Sequence, residues 1–192
     1  MKLLHKKLRL QRLRNTNCCK CSLCRSTHHV CIMGKGNLLA PVFLIGEAPG
    51  SAEEKTGKPF MGRAGKLLDS ILAVEELEDL VYITNVVHCR PPSNRKPSET
   101  EAEICWPYTL REIEIVQPKV IVLLGRTAMN AVGVDKSLRG DHFYDSRLKA
   151  EVVATWHPAY CLRKGKTATQ ELLEALLLAR RLYYEKVSSH LC

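Results

Sequence analysis

Cysteine is the residue type whose number and spacing point most directly to chemistry in this sequence. Two overlapping Cys-x-x-Cys pairs, Cys18/Cys21 and Cys21/Cys24, precede Cys89 and Cys105, which are separated by fifteen residues. One such pair and two distant cysteines supply four thiolates, as a 4Fe–4S cluster or a tetrahedral zinc ion requires. The total of nine cysteines is odd, which disfavours a disulfide framework and indicates a reducing compartment. The spacing predicts a metal site, although an isolated cysteine such as Cys105 is often only a small core residue.

Four short apolar runs, bounded by glycine or polar residues, predict buried strands, and helical patterns lie between them. Apolar strands that alternate with helices predict an α/β fold: a three-layer α/β/α sandwich with a central, mainly parallel four-stranded sheet. The predicted strands are 41–46, 80–86, 119–125 and 151–155. The predicted helices are 2–14, 65–74, 98–116 (opened by a capping box of Ser98 and Glu101), 126–132 and 167–187. Gly and Pro density predicts loops over 47–62 and 90–97.

Several polar residues stand where these predicted strands end. Open parallel sheets bind ligands at the carboxyl ends of their strands, and those ends share one edge. The segments that leave this edge carry Glu47, Asn85 and His157. We therefore expect these three side chains to converge, although they are far apart in the sequence.

The net charge of +9 is confined to the amino-terminal fifth of the chain. Residues 1–35 contain nine Lys or Arg and no acid, whereas the remainder is balanced. A basic arm on a neutral body favours a nucleic-acid partner over a merely solvated basic helix or a transit peptide.

Length and composition predict one globular domain over 1–192, with a basic helix or arm at 1–16 and a Cys-rich cluster loop at 17–37. Hydrophobic residues make up 45% and charged residues 26%, which excludes a wholly disordered chain. Uncharged apolar runs fall short of the roughly 18–20 residues of a membrane helix, so we expect no membrane association.

Taken in order, the motifs of the chain resemble the family 4 uracil-DNA glycosylases, the iron–sulfur type of bacteria and archaea. The resemblance covers roughly residues 18–163. It rests on Cys18-x-x-Cys21-x-Leu23, Gly46-Glu-Ala-Pro-Gly50, Gly57-Lys-Pro-Phe-Met-Gly-Arg-Ala-Gly65, Thr84-Asn-Val-Val-His-Cys-Arg-Pro-Pro92, Asn94-Arg-Lys-Pro97, Cys105 and His157-Pro-Ala-Tyr160.

The resemblance implies a DNA repair enzyme that flips uracil, the product of cytosine deamination, out of DNA and hydrolyses its N-glycosidic bond. An abasic site remains. We expect a monomer in the cytoplasm of a bacterium or archaeon. The alternative is a non-catalytic nucleic-acid-binding module that is cross-linked by a metal ion or a cluster. This alternative explains the charge and the cysteines but gives no role to Glu47, Asn85 and His157.

The resemblance also implies a 4Fe–4S cluster held by Cys18, Cys21, Cys89 and Cys105. Cys24 departs from the family pattern and leaves Cys21/Cys24 as a rival pair. The remaining thiols have no assigned chemistry; they are Cys19, Cys31, Cys161 and Cys192.

For the base itself, the resemblance implies that Phe60 stacks on uracil and that Asn85, whose amide donates and accepts, pairs with its O4 and N3–H. His157 would donate to O2 of the departing uracil anion. Glu47 would orient water or stabilise the sugar cation. Other uracil glycosylases carry an Asp directly before the Pro, where this chain has Ala48, and this leaves the water-activating role of Glu47 open.

Further residues are expected to complete the substrate contacts. The resemblance implies that Glu53 excludes the methyl group of thymine. Leu162 would wedge into the gap left by the flipped nucleotide. The residues expected to contact DNA are Arg90, Arg95, Lys96, Tyr160, Leu162 and Arg163.

Overall fold

The computed structural model describes residues 2–13, 18–25 and 31–188. Its sheet has six strands in the order β1-β3-β2-β4-β6-β5. The strands are β1 Lys35–Gly36, β2 Val42–Gly46, β3 Val81–Asn85, β4 Val120–Leu124, β5 His142–Asp145 and β6 Ala150–Thr155. The helices are α1 Lys2–Leu13, α2 Ser51–Thr56, α3 Arg63–Val74, α4 Glu99–Val116, α5 Arg126–Val132, α6 Pro158–Lys164 and α7 Lys166–Ser188.

The four predicted strands form the parallel centre of this sheet as β3, β2, β4 and β6. The predicted count of four is wrong, because β1 and β5 add an antiparallel strand at each edge. β1 has only two residues, and β5 is largely exposed. Neither edge strand has the continuous apolar run that marks a strand buried on both faces.

Helices cover both faces of the sheet, as expected for a mixed α/β fold with a mostly parallel sheet. On one face, Ile113 of α4 and Met129 of α5 pack against Phe43 and neighbouring strand residues. On the other face, strand residues such as Leu44 pack against α3, α6 and α7, including Leu172. Within the described ranges, no helix is long and apolar enough to span a membrane.

Two short α-helices are absent from the elements that the sequence predicts. The predicted loop 47–62 contains α2. At the start of this helix the carboxylate of Glu53 accepts from the Gly50 backbone N–H at 2.9 Å. The helix is followed by Gly57, whose φ is 67°. The segment after β6 forms α6, whose first residue is Pro158. High Gly and Pro content hides such short helices, because the same residues begin and end helices. The predicted capping box of α4 is confirmed: Ser98 and Glu101 hydrogen-bond reciprocally.

The basic amino-terminal helix ends at Leu13, and residues 14–17 and 26–30 of the expected arm and cluster loop lie outside the described residues. α1 packs on α4. Lys6 is 6% exposed, and its ammonium donates to the carbonyls of Val116 at 2.7 Å and Leu38 at 3.2 Å. Lys6 therefore stabilises the carboxyl end of α4 and is not available for phosphate.

Candidate active site and cysteine-lined cavity

The carboxyl ends of the parallel strands meet at one edge, as the strand pattern predicted. Gly46, the last residue of β2, pairs with Asn85, the last residue of β3. The N–H of Val87 donates to the carbonyl of Glu47 at 3.1 Å, which continues this pairing beyond the strands. At the other side, the Gly125 N–H donates to the carbonyl of Thr155 at 2.9 Å, which joins β4 to the segment that carries His157.

Gly46 leaves the space in which two of the predicted site residues meet. A Cβ atom at this position would lie 2.5 Å from Asn85 Oδ1 and 2.5 Å from the tip of the Phe60 ring. Asn85 is 2% exposed, and its backbone carbonyl accepts from Thr109 Oγ1 at 3.0 Å. The structure therefore brings the amide and the aromatic ring together above the end of β2.

Phe60 is held in place by its backbone as well as its ring. Its φ of 55° is left-handed, a conformation that is unfavourable for a non-glycine residue by roughly 1–3 kcal/mol. A side chain at Gly65 would overlap the Phe60 carbonyl, so α3 packs directly on this turn. The Phe60 ring is buried and stacks on the ring of His157, with centroids 5.8 Å apart.

His157 is the N-cap of α6, and its Nδ1 accepts from the Ala159 backbone N–H at 3.1 Å. With Nδ1 accepting, the neutral imidazole carries its proton on Nε2 and can donate from that atom. Burial of the ring, and next the positive charge of Arg163, lower the pKa of His157 to about 4. His157 is therefore a neutral donor at physiological pH.

Glu47 lies beside the start of α5. Its Oε2 accepts from Thr127 Oγ1 at 2.5 Å, and the side chain of Thr127 is buried. Thr127 therefore fixes the orientation of a partly exposed carboxylate at the strand edge. Neighbouring Ala48 packs against the core cluster under α4 and α5.

Glu53 organises the loop that carries Phe60. Its carboxylate accepts from the backbone N–H groups of Gly50 at 2.9 Å, Met61 at 2.8 Å and Gly62 at 2.8 Å. Burial alone would raise the pKa of Glu53, but these hydrogen bonds outweigh it and the pKa is lowered. The carboxylate is therefore ionised, and its contacts hold both ends of the loop from Gly50 to Gly62.

Two of the expected DNA-contacting arginines are engaged within the protein. Arg90 donates to Glu54 Oε2 at 2.8 Å and to Asn94 Oδ1 at 2.7 Å. Arg95 makes a bidentate pair with Glu101, at 2.8 and 2.7 Å. Lys96, between these residues and α4, is exposed.

The other expected DNA contacts lie on α6, beside His157. The side chain of Leu162 is 43% exposed, and the guanidinium of Arg163 lies 5.9 Å from the centre of the Tyr160 ring. Tyr160 stacks on Trp156 with ring centroids 4.1 Å apart, and the guanidinium carbon of Arg139 lies 3.6 Å from the centre of the Trp156 ring. Sequence reasoning missed Arg139 and Thr127, since neither has a spacing signal that brings it to this edge. It gave no role to Trp156, which directly precedes His157.

A separate apolar cavity is lined by six cysteines. It lies between the amino-terminal segment, the loop after β3 and α4. Cys89 and Cys105 are buried, and the His88 backbone N–H donates to Cys105 Sγ at 3.3 Å. Cys18 Sγ lies 3.8 Å from the hydroxyl of Tyr108. The cysteines are Cys18, Cys21, Cys24, Cys31, Cys89 and Cys105.

The thiols in this cavity influence one another. Cys31 Sγ lies 3.6 Å from Cys89 Sγ, and this contact lowers the pKa of Cys31 to about 7 and raises that of Cys89. Burial, and then the nearby thiols of Cys21, Cys31 and Cys18, raise the pKa of Cys105 to about 12. Cys161 lies elsewhere, in the core under α7, and donates to the Ala168 carbonyl.

The donor set of this cavity fits an iron–sulfur cluster. Soft thiolate ligands in apolar surroundings favour such clusters or zinc, and buried thiolates require a bound cation to offset their charge. In the parts of the chain that the structure describes, no three His, Cys, Asp or Glu side chains are grouped as around a single metal ion.

Comparison with known proteins agrees with the geometry. Residues 33–178 match the family model of the uracil DNA glycosylase superfamily. The chain is 41% identical over 164 residues to the type-4 uracil-DNA glycosylase of Thermotoga maritima, an alignment that covers 81% of this chain and 83% of the relative. It is 41% identical over 158 residues to the type-4 uracil-DNA glycosylase of Archaeoglobus fulgidus, an alignment that covers 76% of this chain and 78% of the relative.

A more distant relative shares the same region. The type-5 uracil-DNA glycosylase of Thermus thermophilus is 31% identical over 175 residues, which cover 79% of this chain and 80% of the relative. These relatives come from bacteria and archaea. The chain belongs to the uracil DNA glycosylase superfamily and, within it, to the family of the type-4 uracil-DNA glycosylases.

Proposed function

We propose that the protein excises uracil from DNA by flipping the base out and hydrolysing its N-glycosidic bond, which leaves an abasic site. The observation that carries this proposal is the meeting of Asn85, Phe60 and His157 at one sheet edge, with Gly46 and Gly125 as the close backbone neighbours. Type-4 relatives at about 40% identity over most of the chain support the same activity.

Base recognition would rest on Asn85 and Phe60. An amide offers a donor and an acceptor side by side, which complements O4 and N3–H of uracil and opposes the inverted pattern of cytosine. A buried mismatched group costs about 1–3 kcal/mol, enough to reject cytosine substantially. The Phe60 ring would stack on the flipped base, and this offsets part of the few kcal/mol that flipping costs.

His157 would act on the leaving group. Bond cleavage places negative charge on uracil and positive character on the sugar. A neutral imidazole with its proton on Nε2 can donate to O2 of the uracil anion, as an oxyanion donor does. The hydrogen bond from Ala159 to Nδ1 supports this tautomer.

Glu47 would face the sugar. Oriented by Thr127, its carboxylate can stabilise the sugar cation and hold the attacking water. Ala48 would line the site without contributing a charge. From the family resemblance, Glu53 would exclude thymine. The hydrogen bonds that Glu53 accepts from Met61 and Gly62 also position the loop that carries Phe60.

The DNA would be held by exposed groups around this edge. Leu162 would fill the gap left by the flipped nucleotide, and Tyr160 and Arg163 flank it on α6. Lys96 would contact phosphate. Arg90 and Arg95 would contribute positive potential while paired with Glu54 and Glu101.

Cys18, Cys21, Cys89 and Cys105 would hold a 4Fe–4S cluster. The pair Cys18/Cys21 is favoured over Cys21/Cys24, because Leu23 stands two places after Cys21, as in the motif of the family. When bound, the cluster would cross-link the amino-terminal segment, the loop after β3 and α4. We further propose a monomer in a bacterial or archaeal cytoplasm.

The test uses duplex and single-stranded oligonucleotides that differ only in one base: uracil, thymine or cytosine. Alkaline cleavage after incubation should appear with uracil alone. Binding to uracil DNA without cleavage would overturn the proposal in favour of a non-catalytic module that binds nucleic acid.

A further inference from the structure

The cysteine-lined cavity holds a thiol beyond the four proposed ligands, and its position is fixed. Cys31 Sγ lies 3.6 Å from Cys89 Sγ. Cys18, Cys21 and Cys105 line the same cavity. Cys31 therefore contacts one of the proposed ligands and shares the cavity with the other three.

The backbone around Cys31 is anchored to the elements that carry the other ligands. The Ile32 N–H donates to the His88 carbonyl at 2.8 Å, next to Cys89. The Gly34 N–H donates to Glu112 Oε1 at 2.7 Å, on the helix that carries Cys105. The sulfur of Cys31 is thus kept at the cavity, and a change of its χ1 rotamer can move it without moving the backbone.

We propose that Cys31 is a reserve ligand, which binds the iron atom left open when the thiolate of Cys18 or Cys89 is lost. The inference rests on the proposed 4Fe–4S cluster. The exchange forms one Fe–S bond in place of the missing one, and the proton of the Cys31 thiol passes to solvent. No electron is transferred.

The experiment compares iron and acid-labile sulfide per chain in full-length variants purified without oxygen. Cys31→Ala alone should keep the iron content of the parent protein. Cys18→Ala and Cys89→Ala should each retain about half or more of the iron, whereas each double variant with Cys31→Ala should hold roughly fivefold less. Cys18→Ala/Cys19→Ala is the matched control, because Cys19 is exposed, and it should equal Cys18→Ala.

Alkylation mapped by mass spectrometry gives an independent readout. Cys31 should react in the parent protein and be protected in Cys18→Ala. Cys89 is buried, whereas Cys18 is only partly buried. If the Cys89 variants fail to fold, Cys18→Ala and its double variant with Cys31→Ala therefore test the inference. Single variants as poor in iron as the doubles, or Cys31 equally reactive in both proteins, would overturn the inference. A parent protein free of iron would overturn both this inference and the proposed 4Fe–4S cluster. If that iron-free protein still excised uracil, the proposed activity would be retained.

Discussion

The ring of Phe60 lies against the ring of His157, with centroids 5.8 Å apart and 29° between the ring planes. One ring comes from the turn between α2 and α3, the other from the N-cap of α6. The Phe60 ring also approaches Gly46, and the Cβ and backbone of His157 approach Gly125, the residue that follows β4. The residue proposed to stack on the base is thereby fixed relative to the residue proposed to act on the leaving group.

Gly46 provides a test of this arrangement. In Gly46→Ala the new methyl group would push against both Asn85 and Phe60, so uracil excision should fall by roughly tenfold or more, since small displacements of positioned groups carry such costs. Gly133→Ala is the control: it has open space and φ of 83°, so it should lose about 1 kcal/mol of stability and keep its activity. Steady-state excision and urea unfolding measure both variants. Equal activity of Gly46→Ala and Gly133→Ala would contradict the close approach of Asn85 and Phe60 to Gly46.

Thr127 tests the positioning of Glu47. Thr127→Val keeps the shape but removes the hydroxyl that donates to the carboxylate. A hydrogen bond to a charged group contributes about 1.5–3 kcal/mol, so the single-turnover rate should fall roughly ten- to hundredfold with little change in DNA affinity. Thr169→Val, which alters an exposed hydroxyl on α7, is the matched control and should behave as the parent. A single-turnover rate in Thr127→Val equal to that of the parent protein would contradict the proposal that Thr127 positions Glu47.

The lowered pKa of His157 has a consequence for acid stability. The unfolded chain takes up a proton on this residue near pH 6.5, whereas the folded protein does so only near its pKa of about 4. The contribution of His157 to stability is therefore complete above about pH 6.5 and is lost as the pH falls toward 4. The Tm of His157→Gln should drop less than that of the parent between about pH 7 and pH 4.5. Equal drops in Tm would show that His157 titrates normally.

Glu101 ties three segments together. Its carboxylate, 6% exposed, accepts from Arg95, from Ser22 Oγ at 2.7 Å and from the Ser98 N–H at 2.8 Å. Glu101→Ala removes the capping box and the carboxylate partner of Arg95, so urea unfolding should show a loss of about 2–3 kcal/mol. Glu114→Ala, which breaks the exposed pair with Arg111, should cost below about 1 kcal/mol. Similar losses in both variants would contradict the role of Glu101.

The centre of the fold could be predicted from the sequence, whereas its edges could not. β2, β3, β4 and β6 are mostly apolar and almost entirely buried, because parallel central strands are covered on both faces. The two residues of β1 and the exposed β5 have no such pattern. The short helix α2 is stabilised by contacts of Glu53, which local composition does not reveal.

The same distinction holds for the site. Asn85 and His157 could be predicted because they close or follow strands, and the topology of a parallel sheet brings strand ends together. Thr127 lies one residue inside a helix, where nothing in its spacing suggests a partner at Glu47. Cys31 has no metal-binding spacing to any other cysteine, and only the folded chain brings it to Cys89.

The most direct test of the central claim, that Asn85 reads uracil and His157 acts on its departure, is single-turnover excision measured beside DNA binding. His157→Ala should lower the rate by roughly 10²–10³-fold while affinity for uracil DNA changes little, because the contact strengthens mainly in the transition state. Asn85→Asp should lose uracil excision and gain slight cytosine excision, because a carboxylate accepts from the exocyclic amine of cytosine. Folded variants at both positions that still excise uracil at rates close to that of the parent protein would contradict the account.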